Sequence, residues 1–235
     1  MEERRKEAKK KLLIVIIACV CLLIGIGIIS VTLYEYNQKE QLRAELNSAF
    51  DELVGYNQDT DDGNGVQISD KDAFMNQYSI GVGNGVDMDG RRNKIAEENR
   101  YYNDMLMVAK LEIPKIDVDD IVVEGTGNVF ISTTLGHFSE TQQPGEVGNF
   151  AIAGHRGGKY GTFFKYLPEL EIGDEIKVTN IYGDVFIYTV TDSYVVKPDE
   201  FWILEPSRDG VREITLMTCT ENGTKRYVVR GEIKN

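Results

Sequence analysis

Residues 213–233 read EITLMTCTENGTKRYVVRGEI. Two runs rich in β-branched and aromatic residues flank a short polar connection that holds an Asn-Gly pair, the turn signal of a hairpin. The first run, Ile214 to Cys219, is strand-like and ends on the cysteine. Arg226 opens the second. Closing the hairpin sets Cys219 and Arg226 facing each other across its mouth. Arg230 is in phase with Arg226 on the same strand face, so alternation alone leaves both arginines in play.

The same texture extends upstream to about Met105. Candidate strands are MVAKLEI (107–113), IVVEG (121–125), NFAIAG (149–154), EIKVTN (175–180) and VFIYTVTDSYVV (185–196). They are separated by IPKID, PGEVG, EIGDE, NIYGDV and SRDG. Short strands at this spacing predict an antiparallel sandwich or barrel. A short helix is expected over 161–170, limited by Pro168, and another over 91–107. Between them and the N-terminus, residues 55–70 (GYNQDTDDGNGVQISD) read as an acidic linker. The run DTDDGNG lacks the calcium-loop spacing and its closing Glu, and the glycines of 81–90 follow no phosphate-cradling pattern. No internal repeat is evident.

At the other end, Leu12 to Tyr34 hold no charge over 23 residues. As a helix they span roughly 34 Å, enough for a bilayer core of about 30 Å. A cleaved signal would have a shorter apolar run and a small-residue cleavage site, and neither is present. Six basic and three acidic residues precede the run, a local charge of +3 that leaves −15 on the remainder of a chain whose net charge is −12. The basic cluster places the N-terminus in the cytoplasm and the rest outside. The acidic body disfavours nucleic acid. Expected boundaries are therefore a cytoplasmic tail (1–11), a transmembrane anchor (12–34), a juxtamembrane segment, linker and appendage (35–104), and a catalytic β domain (105–235). Leu42, Leu46, Phe50 and Leu53 fall on one helical face, so 35–54 reads as a spacer helix. The appendage at 55–104 either spaces the β domain from the membrane or packs near the groove as a lid.

Beyond the anchor the chain has one cysteine, Cys219, and two histidines, His137 and His155. Any Cys–His pair must be drawn from these. A thiol reacts as thiolate, and an imidazole beside it can take the proton or balance the anion. An arginine fork can then steady the oxyanion that forms on an attacked carbonyl. The bland alternative is a buried, inert cysteine. One Cys and two His offer no zinc-ligand spacing, so no metal and no other cofactor is expected; calcium is not indicated.

These residues resemble the sortase family. TLMTC (215–219) followed by a strand beginning with Arg226 looks like the sortase signature, and GNFAIAGHR (148–156) looks like its histidine motif, 64 residues before the cysteine in the family's order. The stretch 136–178 resembles sortases throughout, as do LEIPKI (111–116) and VVEGT (122–126). The resemblance implies an eight-stranded β-barrel and a cysteine transpeptidase working outside a Gram-positive-type cell. It implies Cys219 as nucleophile, His155 as acid/base partner and Arg226 at the oxyanion. Implied partners are proteins carrying an LPXTG-like sorting signal and an amine acceptor such as a peptidoglycan precursor. The signal would be cleaved between Thr and Gly through a thioester, anchoring surface proteins to the wall.

Substrate-binding candidates are Thr218, His137 and Trp202. His137, in LGHFSE, reads as a site-rim or structural residue, and Trp202 as a packing aromatic with a groove role as the lesser reading. Within the family, a class A, D or E-like anchoring enzyme fits better than a pilin-polymerising one, which usually adds a C-terminal span. The interval before Cys219 is too short for the inserted helix of class B. Other cysteine enzymes fit poorly: an L,D-transpeptidase would place His where Met217 stands, and a papain-like protease reverses the order of Cys and His. The remaining alternative is a non-catalytic, membrane-tethered β domain that binds a wall polymer or partner.

Overall fold

The computed structural model describes residues 2–59, 101–102, 105–127, 131–157 and 163–234. Two compact units emerge, Met1–Leu42 and Arg43–Asn235. The chain opens with α1, Glu2–Asp59, a helix of 58 residues containing a stretch long and apolar enough to cross a membrane. Anchor and spacer were expected as separate helices; they form one. No Pro or Gly occurs between Val31 and Val54, and the segment is rich in Leu and Glu, with Gln and Ala beside them, so nothing interrupts the hydrogen-bond ladder.

Among the described residues the second unit is built on nine strands. They are β1 (Tyr101–Tyr102), β2 (Met105–Ile113), β3 (Val118–Glu124), β4 (Leu135–His137), β5 (Gly148–Ala153), β6 (Glu175–Asn180), β7 (Val185–Val196), β8 (Arg212–Cys219) and β9 (Arg226–Glu232). Their order is β1-β2-β3-β4-β5-β8-β9-β7-β6, and pairing of β2 with β6 closes the sheet. Eight strands, β2 to β9, thus form a closed barrel, with β1 a two-residue annex on β2. Closure leaves the barrel no free edge between β2 and β6. Two pairings, β3–β4 and β5–β8, are parallel, which the expected antiparallel pattern did not include. The parallel β5–β8 pair is what brings the histidine and cysteine segments side by side.

The interior is filled by the inward-facing residues of these strands. Phe150 and Ile152 of β5, Ile214 and Leu216 of β8 and Val229 of β9 are at most 1 % exposed. Within this same unit the end of α1 is docked rather than free. Leu46, Phe50 and Leu53 are at most 1 % exposed. Arg43 Nε donates to Asp120 on β3 at 2.8 Å, and Lys110 on β2 reaches Asp51 at 3.1 Å. The segment read as a spacer therefore carries a packing face.

Two expected helices change. Of 161–170, the described part is a turn followed by one 3-10 turn, Leu167–Glu169, because Pro168 removes a donor. Of 91–107, residues 101–102 and 105–107 are strand, while 91–100 lie outside the described residues. The acidic linker and appendage likewise fall outside them from 60 to 100.

Candidate active site

β8 delivers Cys219 at its last residue, opposite Arg226 in the β8–β9 register. Directly paired residues of an antiparallel ladder project to the same face, so the two side chains share one side of the barrel wall. The connection between them is tied locally. Thr220 N–H donates to Lys225 O at 3.0 Å, Gly223 takes φ +70°, and Asn222 Oδ1 accepts from the hydroxyls of Thr220 (2.9 Å) and Thr224 (2.8 Å). The Asn-Gly pair thus supplies a left-handed glycine and a side-chain acceptor, as such turns require.

His155 follows the end of β5, where the backbone is pinned to the cysteine strand. Gly154 N–H donates to Met217 O at 3.0 Å, and the Thr218 hydroxyl donates to Gly154 O at 2.8 Å. On its other side Phe164 N–H donates to His155 O at 3.0 Å. Residue 154 favours glycine, because a Cβ there would stand 2.6 Å from a Leu135 side-chain carbon and 2.7 Å from the Phe164 ring, which would have to shift. The histidine and the cysteine consequently line one cavity of about 700 Å³, together with Arg156, Lys165, Glu169 and Glu221. Both are half-buried. This arrangement supplies a nucleophile, a proton carrier and, across the strand pair, a guanidinium.

The two arginines of β9 differ sharply. Arg226 is half-exposed, and among the described residues its Nη1 makes long contacts to Gly223 O (3.5 Å) and Lys225 O (3.3 Å). Arg230 is 5 % exposed and fully engaged at its tips: Nη1 donates to Glu213 at 2.8 Å, and Nη2 to the carbonyls of Ile203 (2.9 Å) and Glu205 (3.0 Å). A guanidinium committed in this way is unable to turn towards a reacting carbonyl near Cys219.

The three substrate-binding candidates are not gathered at the cavity. His137 is 0 % exposed; its Nδ1 faces the Glu124 carboxylate at 3.1 Å and its Nε2 lies against Thr141 Oγ1 (3.0 Å) and Gln142 O (3.1 Å). It clamps β3, β4 and the following turn together and meets no solvent. Thr218 is 2 % exposed and acts through its bond to Gly154. Trp202 is 53 % exposed but stacks on Tyr194, ring centroids 5.5 Å apart, at a different cavity.

Several residues escaped the sequence reading. Asn149 holds the 3-10 turn Phe201–Leu204 against the barrel, its Nδ2 donating to Ile203 O (3.1 Å) and Leu204 O (2.9 Å) while its Oδ1 accepts from the Thr215 hydroxyl (2.9 Å). Glu213 is the counter-ion of Arg230. Arg156 and Glu221 adjoin the reactive residues in sequence and were findable on that ground. Lys165 and Glu169 reach the cavity only through the fold.

Comparison with known proteins gives the family. A family model described as "Sortase domain" matches residues 111–234. Sortase D of Bacillus subtilis is 32 % identical over 127 residues, covering 52 % of this chain and 61 % of that protein. Sortase A of Bacillus anthracis is 30 % identical over 129 residues, covering 54 % and 60 %. The matched part therefore spans about three fifths of these relatives. Among solved structures, a Clostridium perfringens sortase D5 transpeptidase superposes with a TM-score of 0.54 at 29 % identity, over 70 % of this chain and 95 % of that one.

Proposed function

The chain belongs to the sortase family, and from that premise we propose that it is a membrane-anchored cysteine transpeptidase of class A, D or E-like type. The observation that carries the reading is the convergence of Cys219 and His155 on one cavity, with Arg226 opposite Cys219. In the reaction, the Cys219 thiolate attacks the threonine carbonyl carbon of an LPXTG-like sorting signal. The carbonyl π pair moves onto oxygen, where the Arg226 fork meets the charge. Collapse breaks the Thr–Gly C–N bond, and His155 gives its proton to the departing glycine amine. A thioester remains on Cys219. An acceptor amine then attacks it, His155 takes the amine proton, and Cys219 leaves again as thiolate. The acceptor is an amine such as that of a peptidoglycan precursor, so the product is a wall-anchored surface protein.

In this reading the apolar stretch of α1 is the anchor; the basic residues before it support an N-terminus in the cytoplasm with the barrel outside. The decisive experiment is intact mass of the full chain in detergent after incubation with a panel of LPXTG-like peptides, alongside Cys219→Ala. The expected result is a gain equal to the peptide's acyl half, absent in the variant and discharged by added amine. A complete lack of adduct with every peptide would overturn the assignment and favour a binding domain.

A further inference from the structure

A second cavity of about 700 Å³ opens on the outer face of β7 and β9. Asp192 and Tyr194 come from β7, Glu200, Trp202 and Glu205 from the β7–β8 connection, and Arg230 from β9. Among the described residues it shares no lining residue with the Cys219 cavity. Its wall is built, not draped. The 3-10 turn carrying Trp202 is held by Asn149 from one side and by the Arg230 donations to Ile203 O and Glu205 O from the other. Trp202 nevertheless keeps 53 % of its surface open, and Phe201 beside it 67 %. The Arg230 guanidinium lies over this ring, 5.9 Å from its centroid, so the turn already serves as a platform for one cation, and the exposed part of the ring is left for another.

Polar groups inside this cavity are left over. Arg230 is 5 % exposed, yet its Nε is buried without a partner, although the rest of the guanidinium is satisfied. The Tyr194 hydroxyl is likewise buried without a partner in full hydrogen-bond geometry; its neighbour is Arg230, which acts on it through its charge and a loose side-chain contact. Buried donors without acceptors are uncommon because each forfeits its hydration. Burial pushes the Tyr194 phenol above its ordinary range, against the pull of Arg230, so it stays protonated and able to donate. At the rim the sign is reversed. Asp192, Glu200 and Glu205 have no ion pair among the described residues. The charge of Arg230 is already met by Glu213 at 2.8 Å. The rim therefore attracts cations, while two donors within ask for an acceptor oxygen.

A peptide carrying a basic side chain meets both demands at once. We propose that this cavity binds a basic peptide segment: a lysine or arginine side chain lies over Trp202 among the three carboxylates, while a backbone carbonyl of the same segment accepts from Arg230 Nε or Tyr194 Oη. A simple anion satisfies the donors but is repelled by the rim. A simple cation satisfies the rim but leaves the donors unpaired. The site is distinct from the transpeptidase centre and does not require Cys219 to react.

Trp202 is the sole tryptophan of the chain, so its fluorescence reports on this cavity directly. The full chain in detergent is titrated with Nα-acetyl-lysyl-glycine amide, and in parallel with the norleucine and glutamate counterparts. The expected result is a saturable change in Trp202 emission with the lysine peptide only, unchanged in Cys219→Ala. Asp192→Asn combined with Glu205→Gln should weaken that binding about fivefold or more, the scale of lost exposed charge pairs. Molar salt, with a screening length of about 3 Å, should weaken it similarly. Tyr194→Phe should weaken it without touching the rim. Because the Glu213 carboxylate is held by Arg230 and the Ser207 N–H rather than by any of these three positions, the variants should keep the wild-type Tm. The proposal is overturned if the norleucine or glutamate peptide binds as well as the lysine one, if the doubly neutralised variant binds unchanged, or if no lysine-dependent signal appears in either fluorescence or calorimetry. If the anionic peptide binds more tightly, the cavity is an Arg230-directed anion site instead. Failure of the transpeptidase reading would show separately, as absence of a Cys219 adduct.

Discussion

Arg226 and Arg230 stand on the same face of one strand, four residues apart, and the fold gives them opposite work. Arg230 is walled in with Glu213, which is 2 % exposed. Removing one member of a buried pair strands the other charge, at a cost of about 3–5 kcal/mol. Arg230→Ala should therefore lower Tm strongly in calorimetry. Arg226→Ala should leave Tm nearly unchanged and reduce turnover about a hundredfold, as loss of an oxyanion donor does. The reverse pattern would exchange the two assignments. At this scale scarcity narrowed a Cys–His pair to Cys219 with either His137 or His155, and the choice of His155 came from the resemblance of GNFAIAGHR to the sortase histidine motif. The strand pattern left the arginines open because alternation describes direction, not burial. His137 was ambiguous for the same reason: only the packing of Glu124, Thr141 and Gln142 around it gives it a structural role. If Cys219 reacts as thiolate beside a protonated His155, kcat/KM for the peptide should be bell-shaped in pH. A flat profile would count against that pairing.

Among the elements, β5 and β8 matter most, because their parallel pairing carries His155 to Cys219. The junction is tight at Gly154, where a methyl group meets Leu135 and Phe164. Gly154→Ala should overpack the site by about 1–3 kcal/mol and reduce kcat along with the urea midpoint. A variant with full activity would show that the segment has room to yield. The end of α1 offers a second test. Phe50→Ala opens a void beneath a side chain that is 1 % exposed, with an expected cost of about 3–5 kcal/mol in urea unfolding of the full chain. A negligible change would return this segment to the role of plain spacer. Seven of the nine strands were legible from β-branched runs and turn residues. The two that were not, β1 and β4, have two and three residues. Runs so short carry no period, and they become strands only because a neighbour supplies the ladder.

For the whole molecule, pH acts on stability through groups whose protons are held differently after folding. Tyr188 is 1 % exposed, and burial pushes its phenol up to about 12 although Gly145 N–H donates to its oxygen at 2.8 Å. The folded state holds that proton more tightly than the unfolded one. The corresponding stability, on the order of 3 kcal/mol, is present below about pH 10 and is lost as pH rises from there towards 12. Tyr188→Phe should flatten that alkaline decline in a Tm-versus-pH series while lowering Tm at neutral pH, since Gly145 N–H loses its acceptor; an unchanged decline would place its cause elsewhere. The carboxyls of Asp174 and Glu232 shift the other way. A backbone N–H from Glu171 and then Lys115 hold Asp174 below its usual range, and Arg208 does the same for Glu232. Their contributions are present near neutrality and fade as acid protonates them; both sit near the surface, where water screens the effect. Composition and pattern by themselves determined a charged tail, an uncharged span, a β-rich domain and a single thiol beyond that span with two candidate histidines, because charge, hydropathy and strand period are local properties readable in order along the chain. The tertiary structure alone decided that the strands close into a barrel through β2 and β6, that Arg230 is a buried staple while Arg226 faces Cys219, and that a second cavity lies behind Trp202. Those facts depend on which distant residues exclude water from one another, and that follows from the assembled packing, which no local pattern encodes.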